Sequence, residues 1–145
     1  TLDIHGAHGI NIKADQMFDE ADFSVADMLV LPGGMPGTIH LGEHEGVTSI
    51  VKDFFAKGKL VCAICAAPSV LGAAGILQGR HATCHPGFEE KLTGAITSTD
   101  PVVTDGNVIT SRGMGTSIDF ALAIVKYLKN DAAVEELCQK LVYKK

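Results

Sequence analysis

The sequence lacks three features that would each point to a different class of protein. It has no apolar stretch long enough to span a membrane, which takes about 20 residues. Its 12 basic residues form no cluster and are outnumbered by 17 acidic ones, giving a net charge of −5, so no binding to nucleic acid is expected. The four cysteines, Cys62, Cys65, Cys84 and Cys138, lie in apolar or strand-like contexts without the pattern of a small disulfide scaffold. This cysteine usage predicts a reducing compartment, the cytoplasm.

Repeats, linkers and low-complexity tracts are also missing. The 145 residues, 46% of them hydrophobic, suit one domain with a sizeable core, which we expect to span residues 1–145. Strand-like and helix-like segments alternate, which predicts an α/β sandwich with a mostly parallel sheet. Strands are expected at 2–4 and 8–12 on the two sides of Gly6 and at 27–31, 60–64, 81–84, 101–104 and 108–111, the last two joined by a turn at Asp105-Gly106. Helices are expected at 47–55, 68–74, 116–129 and 132–142, the third with an apolar stripe of Ile118, Leu122, Val125 and Leu128.

Cys65 is the most informative single residue. It ends the apolar run Leu60–Ile64 and is followed by Ala66, Ala67 and Pro68. Because proline suits the first turn of a helix, this pattern places Cys65 on a tight turn from strand to helix. Such a turn exposes a nucleophile at the end of a sheet, and the helix N-terminus favours its thiolate. We therefore predict a catalytic nucleophile, the alternative being a buried cysteine that acts as a small hydrophobic residue.

Two other patterns resemble functional sites but are better explained structurally. Cys62 and Cys65 have the C-x-x-C spacing of redox pairs. Since Cys62 lies inside a strand, its side chain should face away from that of Cys65, and no disulfide is expected. His40 and His44 are four residues apart, but no third ligand is within sequence reach, so we expect no metal site.

Four segments together resemble one known family. Ala63-Ile64-Cys65-Ala66-Ala67-Pro68 forms the nucleophile turn, and Leu31-Pro32-Gly33-Gly34 follows an earlier strand. His85-Pro86 comes shortly after the turn, and Thr110–Ser117 leads into the late helix. In this order, they are similar to the ThiJ/PfpI superfamily over nearly the whole chain, above all to the branch of the Parkinson-disease-associated deglycase and bacterial YajL.

The resemblance implies a fold and a set of site residues. The fold is a flavodoxin-like three-layer sandwich of the class I glutamine-amidotransferase type, assembled as a homodimer. The backbone N–H groups of Gly34 and Ala66 would form an oxyanion hole, supported by Gly33.

Two further residues are expected near this site, each with an alternative role. His85 would accept or move a proton for Cys65, although a histidine held by backbone hydrogen bonds before Pro86 is the structural alternative. Arg112 could bind an anionic substrate, but a structural or dimer-contact role is favoured.

The implied function is that of a cysteine enzyme that needs no cofactor. Its substrate would be a small reactive carbonyl compound, methylglyoxal or glyoxal, or an early adduct of either with a protein. One alternative is a redox-sensing stress-response protein or chaperone that acts through oxidation of Cys65. A third is an intracellular peptidase, which would need a particular oligomer to complete its site. The first two depend on the same accessible thiolate, so the sequence does not separate them.

The family also implies a segment upstream of Thr1. Its members begin with a further strand and helix, a unit of about 30 residues, which carries a glutamate beside the nucleophile. No residue in this sequence matches that glutamate. We therefore expect the chain to be a C-terminal portion that lacks its N-terminal strand and helix.

Overall fold

The computed structural model describes residues 1–144, in which strands and helices alternate. The strands are β1 (Asp3–His5), β2 (Asn11–Lys13), β3 (Met28–Leu31), β4 (Leu60–Ile64), β5 (His81–Ala82), β6 (Ile96–Thr97), β7 (Val102–Asp105) and β8 (Val108–Ser111). The α-helices are α1 (Gly37–Glu43), α2 (Glu45–Ala56), α3 (Pro68–Ala73), α4 (Ser117–Leu128) and α5 (Asp131–Leu141). Short 3-10 turns lie at Ala7–Gly9, Phe18–Glu20, Phe23–Val25, Glu89–Lys91 and Met114–Thr116.

The main sheet has the strand order β3-β4-β8-β7. β4 is parallel to both β3 and β8, with Leu31 opposite Ala63 and Ile64 opposite Ser111, whereas β7 is antiparallel to β8. The carboxyl ends of β3, β4 and β8 therefore meet at one edge. Active sites of such sheets lie at this edge, and the segments that follow the three strands include Gly33, Cys65 and Arg112.

Two apolar clusters cover the two faces of the sheet. Val61 and Ala63 of β4 pack in a cluster with residues of α2 and α3, while Leu60 and Cys62 pack with Phe120 of α4. This division follows from the pleat, because successive side chains of a strand point to opposite faces. Burying a valine or leucine contributes about 1.5–3 kcal/mol, so both faces stabilise the fold. The predicted α/β sandwich with a mostly parallel sheet is confirmed.

Glycine and asparagine end and begin the helices as their chemistry predicts. Gly58 follows α2 with φ of 71°, and Gly75 follows α3 with φ of 79°, a backbone conformation that costs glycine little. Asn130 caps α5, because its side chain accepts a hydrogen bond from the N–H of Ala133 at 2.9 Å.

The turn between β7 and β8 differs from the prediction by one residue. Asp105 pairs with Val108, so the connecting residues are Gly106 and Asn107 rather than Asp105 and Gly106. The Asn107 amide group donates to the carbonyl oxygens of Phe55 and Lys59 at 3.2 and 2.9 Å. These long-range contacts fix the turn, and they leave Asp105 in the strand.

The predicted stripe of α4 is wrong in part. Leu122 is buried, but Ile118 and Leu128 are each 44% exposed. Phe120, which the predicted stripe omitted, is only 6% exposed and packs on β4 and β8. The helix is apolar around most of its surface, so periodicity alone did not select the buried face.

The first residues form a separate element beside the main sheet. β1 and β2 pair with each other as an antiparallel hairpin, which confirms a strand pair around Gly6. The second strand starts at Asn11 rather than His8, because His8 and Gly9 have φ of 64° and 74° and lie in the 3-10 turn. Among residues 1–144, no strand pairs with the outer edge of β3, and Val30 is 41% exposed. The strand and helix expected upstream stay a prediction.

No helix within residues 1–144 combines the length and apolarity needed to cross a membrane.

Candidate functional site

Cys65 lies on a strained turn directly after β4. Its φ of 65° is in the left-handed region, which costs a non-glycine residue about 1–2 kcal/mol. Two backbone hydrogen bonds hold it there: its N–H donates to the carbonyl of Ser111 at 2.9 Å, and its carbonyl accepts from the N–H of His85 at 2.8 Å. The side chain is half-buried, and α3 begins three residues later at Pro68. The predicted turn from strand to helix is therefore present.

Gly33 lies directly against this turn. A Cβ atom on Gly33 would lie 2.5 Å from the Cβ of Cys65, 2.8 Å from the carbonyl oxygen of Ile64 and 3.2 Å from the Cys65 Sγ. No larger residue fits without movement of the loop or of the cysteine. The loop after β3 can therefore lie this close to the thiol because Gly33 has no side chain.

Gly34 is held by a residue that the sequence did not reveal. Its φ is 98°, and its carbonyl oxygen accepts from both the N–H and the Oγ1 of Thr38, each at 2.9 Å. Thr38 is 4% exposed. A threonine four residues after a paired glycine was the available signal, because a hydroxyl at that spacing reaches back to a turn carbonyl.

The backbone N–H of Ala66 is an unpaired donor beside Cys65. Ala66 is only 2% exposed, yet no residue from 1 to 144 accepts a hydrogen bond from its N–H. Its carbonyl, by contrast, accepts from the Ser69 hydroxyl at 2.7 Å. More than about 90% of buried backbone N–H groups are paired. The N–H of Gly34 also has no acceptor in this part of the chain, so both groups are free to bind an oxygen atom of a ligand.

His85 is placed by the same turn. Its Nδ1 lies 3.0 Å from the carbonyl oxygen of Pro86. Because a carbonyl only accepts, this contact requires the proton on Nδ1, and in the neutral ring Nε2 is then the acceptor. The side chain is exposed and faces Gly113 after β8, where a Cβ would lie 3.7 Å from the His85 Cδ2.

Arg112 and Glu89 bring opposite charges to this region. Arg112 is half-buried, and its guanidinium forms no salt bridge with any residue in 1–144. Glu89, which sequence reasoning missed, accepts from the N–H of Gly87 at 2.7 Å. Its pKa is lowered by its own N–H and that of Gly87, and then by the charges of Arg112 and His85. An acidic residue two positions after a glycine, in a turn that carries a candidate histidine, was the available signal.

Cys62 and Cys84 differ from Cys65 in burial. Burial raises the pKa of Cys62 to about 12 and, together with the charge of Glu89, that of Cys84 to about 11. Cys62 is 0% exposed and Cys84 is 2% exposed, so both thiols are protonated core groups. All four cysteines are free, as the argument against a disulfide predicted.

Of the two histidines considered as possible metal ligands, His40 and His44, the structure gives His44 a structural role. His44 accepts from the N–H of Val47 at 3.2 Å and so caps α2, and its ring packs on Phe18. Within residues 1–144, no group of three or more His, Cys, Asp or Glu side chains is placed to hold a metal ion.

Comparison with known proteins identifies the family. Residues 1–127 match the DJ-1/PfpI family. The chain belongs to that family. It is 37% identical over 141 residues to protein DJ-1 homolog B of Arabidopsis thaliana, covering 96% of this chain but only 32% of that relative. It is also 38% identical over 129 residues to a Pyrococcus horikoshii protein named a deglycase, covering 87% of this chain and 76% of the relative.

Solved structures of the DJ-1/PfpI family share the fold. The structure of oxidised Toxoplasma gondii DJ-1 superposes with a TM-score of 0.93 at 30% identity, over 100% of this chain and 79% of the other. The flavodoxin-like fold of the class I glutamine-amidotransferase type is thus confirmed.

Proposed function

We propose that this protein is a cysteine enzyme that converts methylglyoxal or glyoxal without glutathione or any cofactor, and that removes their early adducts from proteins. The observation that supports it most is the unpaired N–H of buried Ala66 beside Cys65. A free, buried backbone donor beside a nucleophile is suited to stabilise the oxyanion that carbonyl addition creates, and a strained backbone such as that of Cys65 is typical of functional sites. The deglycase name of the Pyrococcus relative supports the same substrate class.

The first step would be addition of the Cys65 thiolate to the aldehyde carbon. A C–S bond forms, the C=O π pair moves onto oxygen, and the N–H groups of Gly34 and Ala66 stabilise that oxyanion. Each such donor is worth about a hundredfold or more in rate. The close approach of Gly33 to Cys65 would bring the neighbouring Gly34 N–H towards the sulfur.

The second step would move a proton between the two substrate carbons. In the neutral ring with the proton on Nδ1, the Nε2 of His85 would remove the proton from the hemithioacetal carbon and return it to the neighbouring carbon. The family's upstream glutamate is the other candidate for this role. The product is a thioester, which water hydrolyses to lactate from methylglyoxal or glycolate from glyoxal, regenerating the Cys65 thiol. An early protein adduct would be attacked by the same nucleophile.

Turnover of methylglyoxal by the purified protein without glutathione tests this proposal. We expect lactate formation that falls at least about a hundredfold in Cys65→Ser and Cys65→Ala. Cys138→Ala is the matched control, since Cys138 is a half-buried thiol on α5, far from this turn in the chain, and it should keep full activity. Turnover that persists in Cys65→Ala would refute the nucleophile assignment.

A redox-sensing role through Cys65 is the second candidate. The half-exposed Cys65 is placed to react with peroxide, unlike Cys62 and Cys84, and the superposable Toxoplasma DJ-1 structure is of an oxidised protein. Sulfinic acid at Cys65, found by peptide mass spectrometry after peroxide treatment of a protein that does not turn over methylglyoxal, would favour this role.

We also propose a homodimer in the cytoplasm. Met114 is 92% exposed and Ile118 is 44% exposed, and both lie next to the loop after β8, where a second copy would cover them. The four free cysteines suit a reducing compartment. Light scattering on the protein as it elutes from a size-exclusion column measures the molar mass, and the mass of a monomer at micromolar concentration would contradict the proposed dimer.

A further inference from the structure

Gly34 and Ala66, whose N–H groups are the two free donors beside Cys65, have their carbonyl groups held in the same way. The carbonyl oxygen of Gly34 accepts from both the N–H and the Oγ1 of Thr38, each at 2.9 Å. The carbonyl oxygen of Ala66 accepts from both the N–H and the Oγ of Ser69, at 3.1 and 2.7 Å. In each case a hydroxyl at the start of the following helix reaches back to the turn and fixes the direction of the carbonyl group.

The two residues differ in what holds their N–H side. The N–H of Ala66 shares a peptide group with the carbonyl of Cys65, and that carbonyl accepts from the N–H of His85 at 2.8 Å. Ala66 is therefore fixed on both sides. The N–H of Gly34 shares a peptide group with the carbonyl of Gly33, to which no residue from 1 to 144 donates a hydrogen bond. Gly34 is thus fixed by hydrogen bonds on its carbonyl side alone.

The conformation and position of Gly34 make that single hold important. Glycine has more conformational freedom than any other residue, and Gly34 has φ of 98°. Its neighbour Gly33 lies so close to the thiol that a Cβ there would be 3.2 Å from the Cys65 Sγ. A rotation at Gly34 therefore changes where its N–H points relative to the sulfur. Thr38 is only 4% exposed, so water has little access to the hydroxyl that opposes this rotation.

We propose that Thr38 is a positioning residue: its hydroxyl holds Gly34 so that the N–H of Gly34 points to the oxyanion formed at Cys65. The inference rests on the proposed function and adds to it a residue that acts through the Gly34 carbonyl, without contact with the substrate. Ser69 acts on Ala66 in the same way, but its loss should matter less, because the His85 N–H also fixes that peptide group.

Two variants of Thr38 separate its hydroxyl from the rest of its side chain. Valine removes the hydroxyl and keeps the branched shape, whereas serine keeps the hydroxyl. We expect kcat for methylglyoxal to fall about tenfold in Thr38→Val with KM nearly unchanged, because the misdirected donor acts in the transition state. Thr38→Ser should keep most of the activity, and Ser69→Ala should lower kcat less than Thr38→Val does.

A control variant and a second reaction distinguish positioning from general damage. Thr48→Val is the matched control, since Thr48 lies on the neighbouring helix α2 and its side chain forms no hydrogen bond within residues 1–144. Alkylation of Cys65 by iodoacetamide forms no oxyanion, so its rate should be the same in Thr38→Val and in the wild type. Equal kcat in Thr38→Val and Thr48→Val would overturn the proposal. A loss that Thr38→Ser shares, or an equal loss of alkylation rate, would also overturn it.

NMR relaxation of the backbone amides tests the hold on Gly34 without any turnover. In Thr38→Val the order parameter of the Gly34 amide should fall below the value of about 0.85 that is typical of rigid backbone, while that of Ala66 stays unchanged. An unchanged value at Gly34 would overturn the proposal even if methylglyoxal is a substrate. If the wild type shows no turnover, the proposed function fails, and the order parameter still decides whether Thr38 holds Gly34. If Thr38→Val does not fold, Thr38→Ala removes the same hydroxyl and decides by the same measurements.

Discussion

Replacing Gly33 by alanine should disable the site while leaving most of the fold intact. The new Cβ would lie 2.5 Å from the Cβ of Cys65 and 2.8 Å from the carbonyl oxygen of Ile64. Neither neighbour is the end of a flexible side chain, so neither can rotate away. Either the loop after β3 or the turn at Cys65 must therefore move.

The expected effects on stability and reactivity differ in size. Forcing one methyl group into a packed site typically costs about 1–3 kcal/mol, a fraction of the stability of a small domain. A displaced loop, however, moves the Gly34 N–H relative to the Cys65 sulfur, and the loss of one oxyanion donor lowers turnover about a hundredfold or more. The variant should hence fold, melt somewhat earlier and lose nearly all activity.

Gly37→Ala is the control for this prediction. Gly37 opens α1, its φ is not positive, and a Cβ there would meet no atom within 4 Å. Alanine at such a position should be neutral or stabilising by about 0.4–1 kcal/mol. Urea unfolding measures both stabilities, and lactate formation from methylglyoxal measures both activities. If Gly33→Ala matched Gly37→Ala in both assays, the close contact between Gly33 and Cys65 would not matter and the reasoning would be refuted.

Three further predictions concern other parts of the molecule. Thiol labelling near neutral pH should modify Cys65 first. Burial keeps Cys62 and Cys84 protonated with pKa values of about 12 and 11, and the half-buried Cys138 lies on α5 rather than on a turn from strand to helix; faster labelling of Cys84 or Cys138 would contradict the turn argument. Gly34→Val should lose activity through strain at φ of 98°, although a Cβ there would meet no atom within 4 Å, and full activity would exclude the proposed role. Asp105→Asn should lower the urea midpoint at neutral pH. In the folded protein the pKa of Asp105 is lowered, chiefly by the hydrogen bond from the His81 N–H. The ionised carboxylate therefore stabilises the folded state above about pH 4, and this stabilisation is lost as pH falls through the pKa of Asp105 in the folded protein. A deficit that persisted unchanged at about pH 2 would argue against this linkage.

The sequence predicts the framework well because its signals are local. The apolar run at 60–64, Pro68 and the glycines after α2 and α3 act within a few residues of themselves, and such signals do not depend on the rest of the fold. The hairpin turn moved by one residue because Asn107 bonds to carbonyls of Phe55 and Lys59. No local pattern reports a contact between residues about 50 positions apart.

The same distinction applies to the candidate site. Cys65, Gly33 and Gly34 could be predicted as candidates because a strand end followed by small residues is a local pattern. Glu89 was missed because the charge that lowers its pKa from outside its own turn is that of Arg112, which follows β8 and is distant in the sequence. The unpaired state of the Ala66 N–H is likewise invisible in a sequence, since it depends on every neighbour of that atom.

The left-handed backbone of Cys65 also limits how this protein can be made more robust. At φ of 65°, glycine is the residue that fits without conformational cost, so Cys65→Gly should be more stable than Cys65→Ala by about 1 kcal/mol. A selection that rewards only expression or heat resistance would therefore enrich variants that have lost the thiol. Libraries for stabilising this scaffold need a reactivity screen at every round, because the residue proposed as the nucleophile is also one whose replacement by glycine is expected to stabilise the fold.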